Sequence, residues 1–391
     1  MRMALSTKPY IGSRDFFPDD MNFRNWMFGV QRDWCRLYGY QEYAAPLIEP
    51  IELYRAKSSE EIVNEQVYRF IDRGEREVAI RPELTPTLAR MAAQRLQDIP
   101  RPLRWFNVGN FMRYERPGRG RLREFYQLNV DLLGSNSAMA DAEVLMLAVD
   151  ILRAYGAGPE QFLVRYSDRR LLESYFSELS SDALRKVSRA IDKREKIKPE
   201  EFEQLLSEAC PDTALRSRVP GFLELTVDDL QNAAEQGELD PEAAERIRGI
   251  RDILQSRGYA DELRFDPGIV RGFDYYTGFI FEIYDLHPEN NRALFGGGRY
   301  DRLVGLFGKE DIPAVGFGMG DVTLENFIRT HNLVPAALQA SEGVYLTLMS
   351  DELKDATLQL AMELRAAGIE CEAALEPTKK FGKQFELADR K

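Results

Sequence analysis

Histidine is almost absent from this sequence, with His287 and His331 the two copies in 391 residues. Two imidazoles cannot by themselves build a metal site or a histidine-based triad, which sets aside much hydrolase chemistry. Cysteine is nearly as scarce. Cys35, Cys210 and Cys371 lie far apart and form no CxxC pair. That leaves no disulfide framework and no zinc signature, and it points to a reducing compartment. No apolar run reaches the length of a membrane-spanning helix. Residues 1–16 lack an apolar stretch followed by a cleavage site, so no secretion signal is expected and the cytoplasm is the expected location. Positive charge is also in deficit, at a formal net charge of −12. Over the whole chain this disfavours nucleic-acid binding, because phosphate contacts need positive charge. Only a local concentration of basic groups would reverse that reading.

The rest of the composition is that of a globular protein, and the length suggests two or three domains. Residues 19–38 read as an amphipathic helix, with Phe23, Trp26, Met27, Val30, Trp34 and Leu37 at three-to-four spacing, Asp19 or Asp20 as cap and Gly39 as terminator. Segments 67–71 and 77–80 flank Asp72-Arg73-Gly74-Glu75, a good hairpin turn. A helix is expected at 85–96, strands at 103–108 and 125–132, and a long helix at 138–155. From 168 to 261 the chain becomes highly charged and helix-forming, with segments 183–198, 200–208 and 241–255. The β pattern returns at 263–265, 275–284 and 293–298. Residues 341–391 start afresh as strand, helix, strand and helix. The expected class is α+β: an antiparallel sheet flanked by helices, a helical insertion, and a small α/β domain.

The local basic concentration lies at 113–123, where Arg113, Arg116, Arg119, Arg121 and Arg123 share eleven residues with two glycines between two strands. Guanidinium forks suit phosphate oxygens, glycines admit close backbone approach, and Glu115 can accept from an adenine amino group. A solvated arginine-rich hairpin would look the same. On the following strand Gln127, Asn129 and Asp131 alternate with Leu128, Val130 and Leu132. That polar face either meets water or lines a pocket, where Asp131 and Glu83 would suit an ammonium or imidazole ligand. Glu83 and Thr85 can equally cap the helix that follows. The segment 270–278 carries Arg271, Asp274, Tyr275 and Tyr276 together, either as a buried structural network or as a pocket whose arginine meets developing negative charge. Phe295-Gly-Gly-Gly-Arg299-Tyr-Asp301 puts glycines at a strand end, and Gly316-Phe-Gly318-Met-Gly320 looks like a phosphate-binding glycine loop.

In this order the segments resemble the class II aminoacyl-tRNA synthetases, and within them the histidyl-tRNA synthetases, over essentially the whole chain. Residues 10–18 are similar to the family's opening, 38–49 to motif 1, a dimer-interface element, and 113–127 to motif 2, the ATP-binding loop. Residues 271–278 and 297–301 are similar to the two histidine-specific motifs. The resemblance implies ATP-dependent activation of histidine to histidyl-adenylate and its transfer to the 3′ end of tRNA(His), with Mg²⁺ bridging the phosphates, in a cytoplasmic homodimer. It assigns Arg113 and Arg271 to catalysis at the α-phosphate and Arg121 to the outer phosphates. It places Glu115 on the adenine amino group. Glu83, Thr85, Gln127, Asp131, Tyr275 and Tyr276 form the histidine site. It divides the chain into a catalytic core (1–167 and 262–335), a helical insertion (168–261) and part of an α/β anticodon-binding domain (341–391).

Two features depart from the family pattern. Motif 3 carries a Glu-Arg pair after its glycines, with the arginine stacked on adenine, whereas here Thr323 stands at the arginine's position and Arg302 is the candidate replacement. The closing strands and helix of the anticodon-binding domain are not found after 391. The alternative implied by the changed motif 3 is a non-catalytic relative that senses histidine, such as the regulatory subunit of ATP phosphoribosyltransferase.

Overall fold

Pro18 opens the first helix, α1 (Pro18–Leu37), where its fixed φ suits the first helical position. The carboxylate of Asp20 reaches back to accept from the Phe17 N–H at 3.1 Å. Phe23, Met27, Phe28 and Cys35 are the apolar stripe that becomes buried, and Gly39 ends the helix at φ +79°. These features belong to a computed structural model whose described residues are 5–56, 62–95, 98–269, 275–290, 293–308, 310–339 and 343–389.

The strands that follow are β1 (Gln41–Glu42), β2 (Ile48–Pro50), β3 (Arg69–Ile71), β4 (Glu77–Ile80), β5 (Leu103–Met112), β6 (Glu124–Leu133), β7 (Phe162–Asp168), β8 (Leu263–Phe265), β9 (Phe279–Asp285), β10 (Ala293–Arg299) and β11 (Ala314–Gly320). One large sheet has the order β1-β5-β6-β11-β10-β9-β7-β8. Within it β1 runs parallel to β5 and β7 parallel to β8, and the other pairings are antiparallel. A smaller antiparallel sheet, β2-β4-β3, carries the expected hairpin. Its turn closes because the Asp72 carboxylate accepts from the N–H groups of Gly74 and Arg76.

The helices α2 (Ile51–Arg55), α3 (Thr85–Arg95) and α4 (Ala138–Ala154) precede β7. α4 packs against β6, β11 and α1. Being covered on several sides, it is apolar nearly all round, with Val144, Leu145, Leu147, Ala148, Ile151 and Leu152 buried. Between β7 and β8 the chain is helical: α5 (Arg169–Tyr175), α6 (Ser181–Lys193), α7 (Pro199–Ala209), α8 (Thr213–Arg216), α9 (Val219–Leu223), α10 (Leu230–Glu235) and α11 (Pro241–Gln255). Asp212 and Asp240 cap α8 and α11 by accepting backbone N–H bonds. α12 (Asp321–Thr330) then packs on β6, β10 and β11.

The α+β class read from the sequence is thus the observed one, with corrections in detail. The strand expected at 275–284 starts at Phe279, and β7 was not foreseen at all. The larger correction concerns Gly316, Gly318 and Gly320. They form no phosphate-binding loop but alternate along β11, in register with Asp131, Asn129 and Gln127 of β6. A period of two is strand geometry, and opposite residues of paired strands share a face. The glycines therefore sit on the polar face of β6, while Val315, Phe317 and Met319 are buried on the other.

The chain divides into two compact units, Met1–Leu333 and Val334–Lys391. In the second, β12 (Val344–Leu346) and β13 (Cys371–Ala373) pair in parallel, with α13 (Lys354–Ala366) and α14 (Phe381–Asp389). The buried Gln384 amide ties α14 to this unit by bonding both the N–H and the C=O of Leu348.

Candidate active site

The polar face of β6 is the base of the site. Glycines opposite it remove the side chains that would fill the space: a Cβ on Gly318 would stand 2.4 Å from Gln127 Nε2, and one on Gly316 2.4 Å from Asp131 Oδ1. Gly296 and Gly298 of β10 lie in register with Gly318 and Gly316, which extends the bare strip. Over it open two cavities that share Gln127, Tyr276, Gly296 and Gly318 in their walls.

The smaller cavity, about 50 Å³, brings together Glu83, Thr85, Gln127, Asp131, Tyr275 and Tyr276. Their chain positions are up to two hundred residues apart. The Tyr275 hydroxyl lies 3.2 Å from Glu83 Oε2 and 3.3 Å from Thr85 Oγ1, so Glu83 and Thr85 at the start of α3 turn toward the pocket. Tyr300 donates its hydroxyl proton to Asp131. It was visible beforehand only as part of the glycine-rich motif, without a role of its own. Burial pushes the Asp131 carboxyl up to about 7, against the Tyr300 hydrogen bond that lowers it. Burial likewise raises the Tyr275 and Tyr300 hydroxyls. Two buried carboxyls flanked by neutral phenols make a site for a small cation or N–H donor, since a charge left alone there is expensive.

The larger cavity, about 550 Å³, is lined by Arg113, Glu115, Arg121, Phe125, Glu282 and Thr323 among others. The five arginines of 113–123 separate here. Arg113 is held by a 2.9 Å bond from Nε to the Pro82 carbonyl, with its guanidinium 5.4 Å from the Phe125 ring centre. Arg121 pairs with Glu115 at 3.0 Å. Arg123 instead stacks on Tyr114 and donates to the Tyr10 hydroxyl, and Arg119 reaches the turn after β9. Asp321, at the start of α12, accepts from the Tyr126 N–H and pairs with Arg14 at 2.5 Å. This pins the segment around residue 14 to the edge of the cavity. Burial raises its carboxyl and Arg14 opposes the shift.

Arg271 lies outside the described residues. Thr323 donates to the Leu294 carbonyl at 2.7 Å and leaves no cation on α12 facing the cavity. Arg302 does not take that place. It lines neither cavity and sits by Glu173, whose carboxyl burial raises while Arg169 and Arg302 oppose the shift. Arg329 is turned away, paired with Glu325 and over Phe23. Arg81 is structural: it bonds the carbonyls of Asn110 and Ala45. A third cavity, about 730 Å³, adjoins the second through Gly120, Arg121, Glu282 and Thr323 and is bordered by Arg165, Arg194 and Lys196. Among the described residues no group of three His, Cys, Asp or Glu side chains could hold a metal ion. None of their helices is long and apolar enough to cross a membrane.

The sequence model of the family described as histidyl-tRNA synthetase matches residues 12–323. The chain belongs to the histidyl-tRNA synthetase family. A relative in Leptospira biflexa, named histidine–tRNA ligase, is 46% identical over 391 residues, covering 99% of this chain and 88% of the relative. One in Pyrococcus furiosus with the same name is 35% identical, over 93% of this chain and 84% of its own length. Among solved structures, a histidyl-tRNA synthetase from Nostoc superposes with a TM-score of 0.84 at 22% identity, over 99% of this chain and 90% of that one. At that identity it shows the fold alone, which is the histidyl-tRNA synthetase fold read here from the sheet.

Proposed function

We propose that this chain is a histidine–tRNA ligase, which activates histidine with ATP and transfers it to tRNA(His). The observation that carries the reading is that a buried carboxyl pocket and an arginine-lined cavity share the wall of Gln127, Tyr276, Gly296 and Gly318. An amino acid seated in the first presents its carboxylate to a nucleotide in the second.

In this reading Glu83, Thr85 and Gln127 hold the ammonium group of histidine. Asp131, with Tyr275 and Tyr276, holds its ring. Glu115 accepts from the adenine amino group, Arg121 meets the outer phosphates, and Arg113 and Arg271 meet the α-phosphate. The histidine carboxylate attacks the α-phosphorus in line and pyrophosphate leaves. No side chain has to act as nucleophile. Rate enhancement comes from holding the reactants together and from guanidinium charge placed where negative charge grows. The tRNA terminal hydroxyl then attacks the activated carbonyl and AMP leaves. Mg²⁺ takes only one or two protein carboxylates in nucleotide sites, and Glu282 in this cavity's lining would hold it. Held there, it would neutralise phosphate charge.

The tRNA 3′ end is assigned to this side of the molecule on the family's chemistry; in the third cavity Arg121, Arg165, Arg194 and Lys196 share the lining with Asp192, Glu195, Asp266, Glu282 and Asp285, so it is no net basic surface. We assign residues 1–167 and 262–335 to the catalytic core, 168–261 to an insertion and 341–391 to part of an anticodon-binding domain. We also infer a homodimer. Leu47 and Ile48, within motif 1, and Phe70 and Ile71, on β3 of the same small sheet, are exposed apolar side chains. The cytoplasm, where tRNA and ATP are met, is the assigned location. The deciding experiment is histidine-dependent ATP–pyrophosphate exchange with this chain. Exchange with histidine and no other amino acid supports the reading. Histidine binding without exchange would replace it by the histidine-sensing alternative.

A further inference from the structure

The chain's two histidines fall outside the site and yet stand next to it. His331, at the end of α12, places Nε2 2.8 Å from Asp285 Oδ1, and the His287 N–H donates to the same oxygen at 2.8 Å. The two rings meet edge-on at 5.7 Å. Asp285 is buried and its other oxygen accepts from the Asn290 side-chain amide. The turn after β9 is thereby fastened to α12. Onto its outer side comes Arg119. Its Nε and Nη2 both donate to Asn290 Oδ1, at 3.0 and 2.9 Å. Nη2 also lies 3.2 Å from Glu289 and 3.5 Å from the Thr330 hydroxyl.

The other end of this contact is the tip of the loop over the nucleotide cavity. Gly118 and Arg121 exchange backbone hydrogen bonds of 2.9 and 3.0 Å, with Gly120 between them at φ +75°. A Cβ added to Gly120 would lie 3.3 Å from Thr323 Cγ2, so the tip rests on the residue that departs from the family pattern. Beside it a cavity of about 180 Å³ is lined by Arg119, Gly120, Asn290, Leu294, Thr323 and Asn326, so a long side chain at 323 would push in under Arg119 and Gly120.

We propose that Arg119 is a positioning residue. Its grip on the anchored turn holds the loop down on Thr323 and so fixes Arg121 and Glu115 against ATP. The short side chain at 323 is then the seat of the loop, and closure of the loop takes over the fixing of the nucleotide that a cation from α12 would otherwise supply. An ordinary exposed ion pair would contribute little. What distinguishes this one is a paired donation to a neutral amide that is itself locked by a buried carboxylate.

The inference rests on the proposed function, and its test separates the two. ATP binding to the full chain is measured by calorimetry, and pyrophosphate exchange is measured alongside, for the wild type, Arg119→Ala, Asn290→Ala, the double variant and Thr323→Arg. Arg119→Ala is expected to weaken ATP binding about tenfold. The histidine KM, and kcat at saturating ATP, should change less than about twofold, a split that general destabilisation would not give. Asn290→Ala should do the same, and the double variant should be no worse than either alone, since both remove one interaction. Thr323→Arg should lift the tip and also weaken ATP. Unchanged ATP affinity in Arg119→Ala, additive losses in the double variant, or tighter ATP in Thr323→Arg would each overturn the proposal. A wild type that binds ATP without exchange would overturn the function and leave Arg119 to be judged by the binding constants. A wild type that binds no ATP would overturn both.

Discussion

In the smaller pocket, which we assign to the amino acid, the carboxyls are buried and partnered by tyrosine hydroxyls, Glu83 by Tyr275 and Asp131 by Tyr300. In the adjoining cavity, which we assign to the nucleotide, the polar groups include guanidiniums on a hairpin loop, with the Arg121 side chain 57% exposed. The first arrangement selects, because a buried carboxyl left without its proper partner is costly and a wrong ligand cannot supply one. The second attracts and holds, because guanidinium forks suit a large anion that brings its own charge. Both stand on β6, so the rigid strand joins a selective half to an adaptable one.

Removing a cation from the α-phosphate position should break the adaptable half most. Arg113→Ala, and Arg271→Ala on the strength of the family resemblance, should each lower histidine-dependent exchange by roughly 10²-fold or more. A loss under about fivefold for Arg113 would contradict its role.

The selective half should respond to Asp131→Asn. Losing a charge-assisted hydrogen bond should weaken histidine binding by about 10- to 100-fold, measured by calorimetry, with ATP affinity unchanged. The same variant carries a stability signature of its own. Asp131 has a folded-state value of about 7, above its unfolded value near 4. Between these the folded state holds the extra proton, so this group's contribution to stability falls as pH rises from about 4 to about 7 and is level beyond. The neutral asparagine lacks that loss. Relative to the wild type, Asp131→Asn should gain melting temperature from pH 5 to pH 8, and an equal difference at both pH values would show that Asp131 is not the buried acid described.

Gly297→Ala tests the packing of β10 beneath the shared floor. Its Cβ would stand 2.2 Å from the Gly316 carbonyl and 2.7 Å from the Phe317 side chain, so β10 and β11 would be forced apart. An overpacking cost of about 1–3 kcal/mol is expected from denaturant unfolding. A variant of wild-type stability would mean that β10 and β11 are less closely packed than described. Smallest of all, Arg302→Ala should leave the ATP KM within about twofold of wild type, because Arg302 lines neither cavity.

Much of the scaffold was legible because its signals are local. α1 announces itself by apolar spacing and a terminal glycine. The Asp72–Glu75 turn and the arginine hairpin are bounded by residues whose backbone preferences leave few choices. β11 was misread for the same local reason. Glycine has low strand propensity, and three of them at alternate positions suggest a loop until a partner strand supplies the other half of the pattern. β7, with polar residues among its apolar ones, was passed over although most of it is buried in the sheet.

By itself the sequence determined the family, through motifs whose residue types are dictated by phosphate and imidazole chemistry. It also determined the class of fold, through periodicities of two and near four. Only the tertiary structure decided which of the five loop arginines line the larger cavity, that Tyr300 donates to Asp131 across 169 positions, and that neither Arg302 nor Arg329 lines that cavity. Those outcomes depend on which strands become neighbours and on how much water is excluded between them. Both are set by the packing of the whole sheet and by no segment read alone.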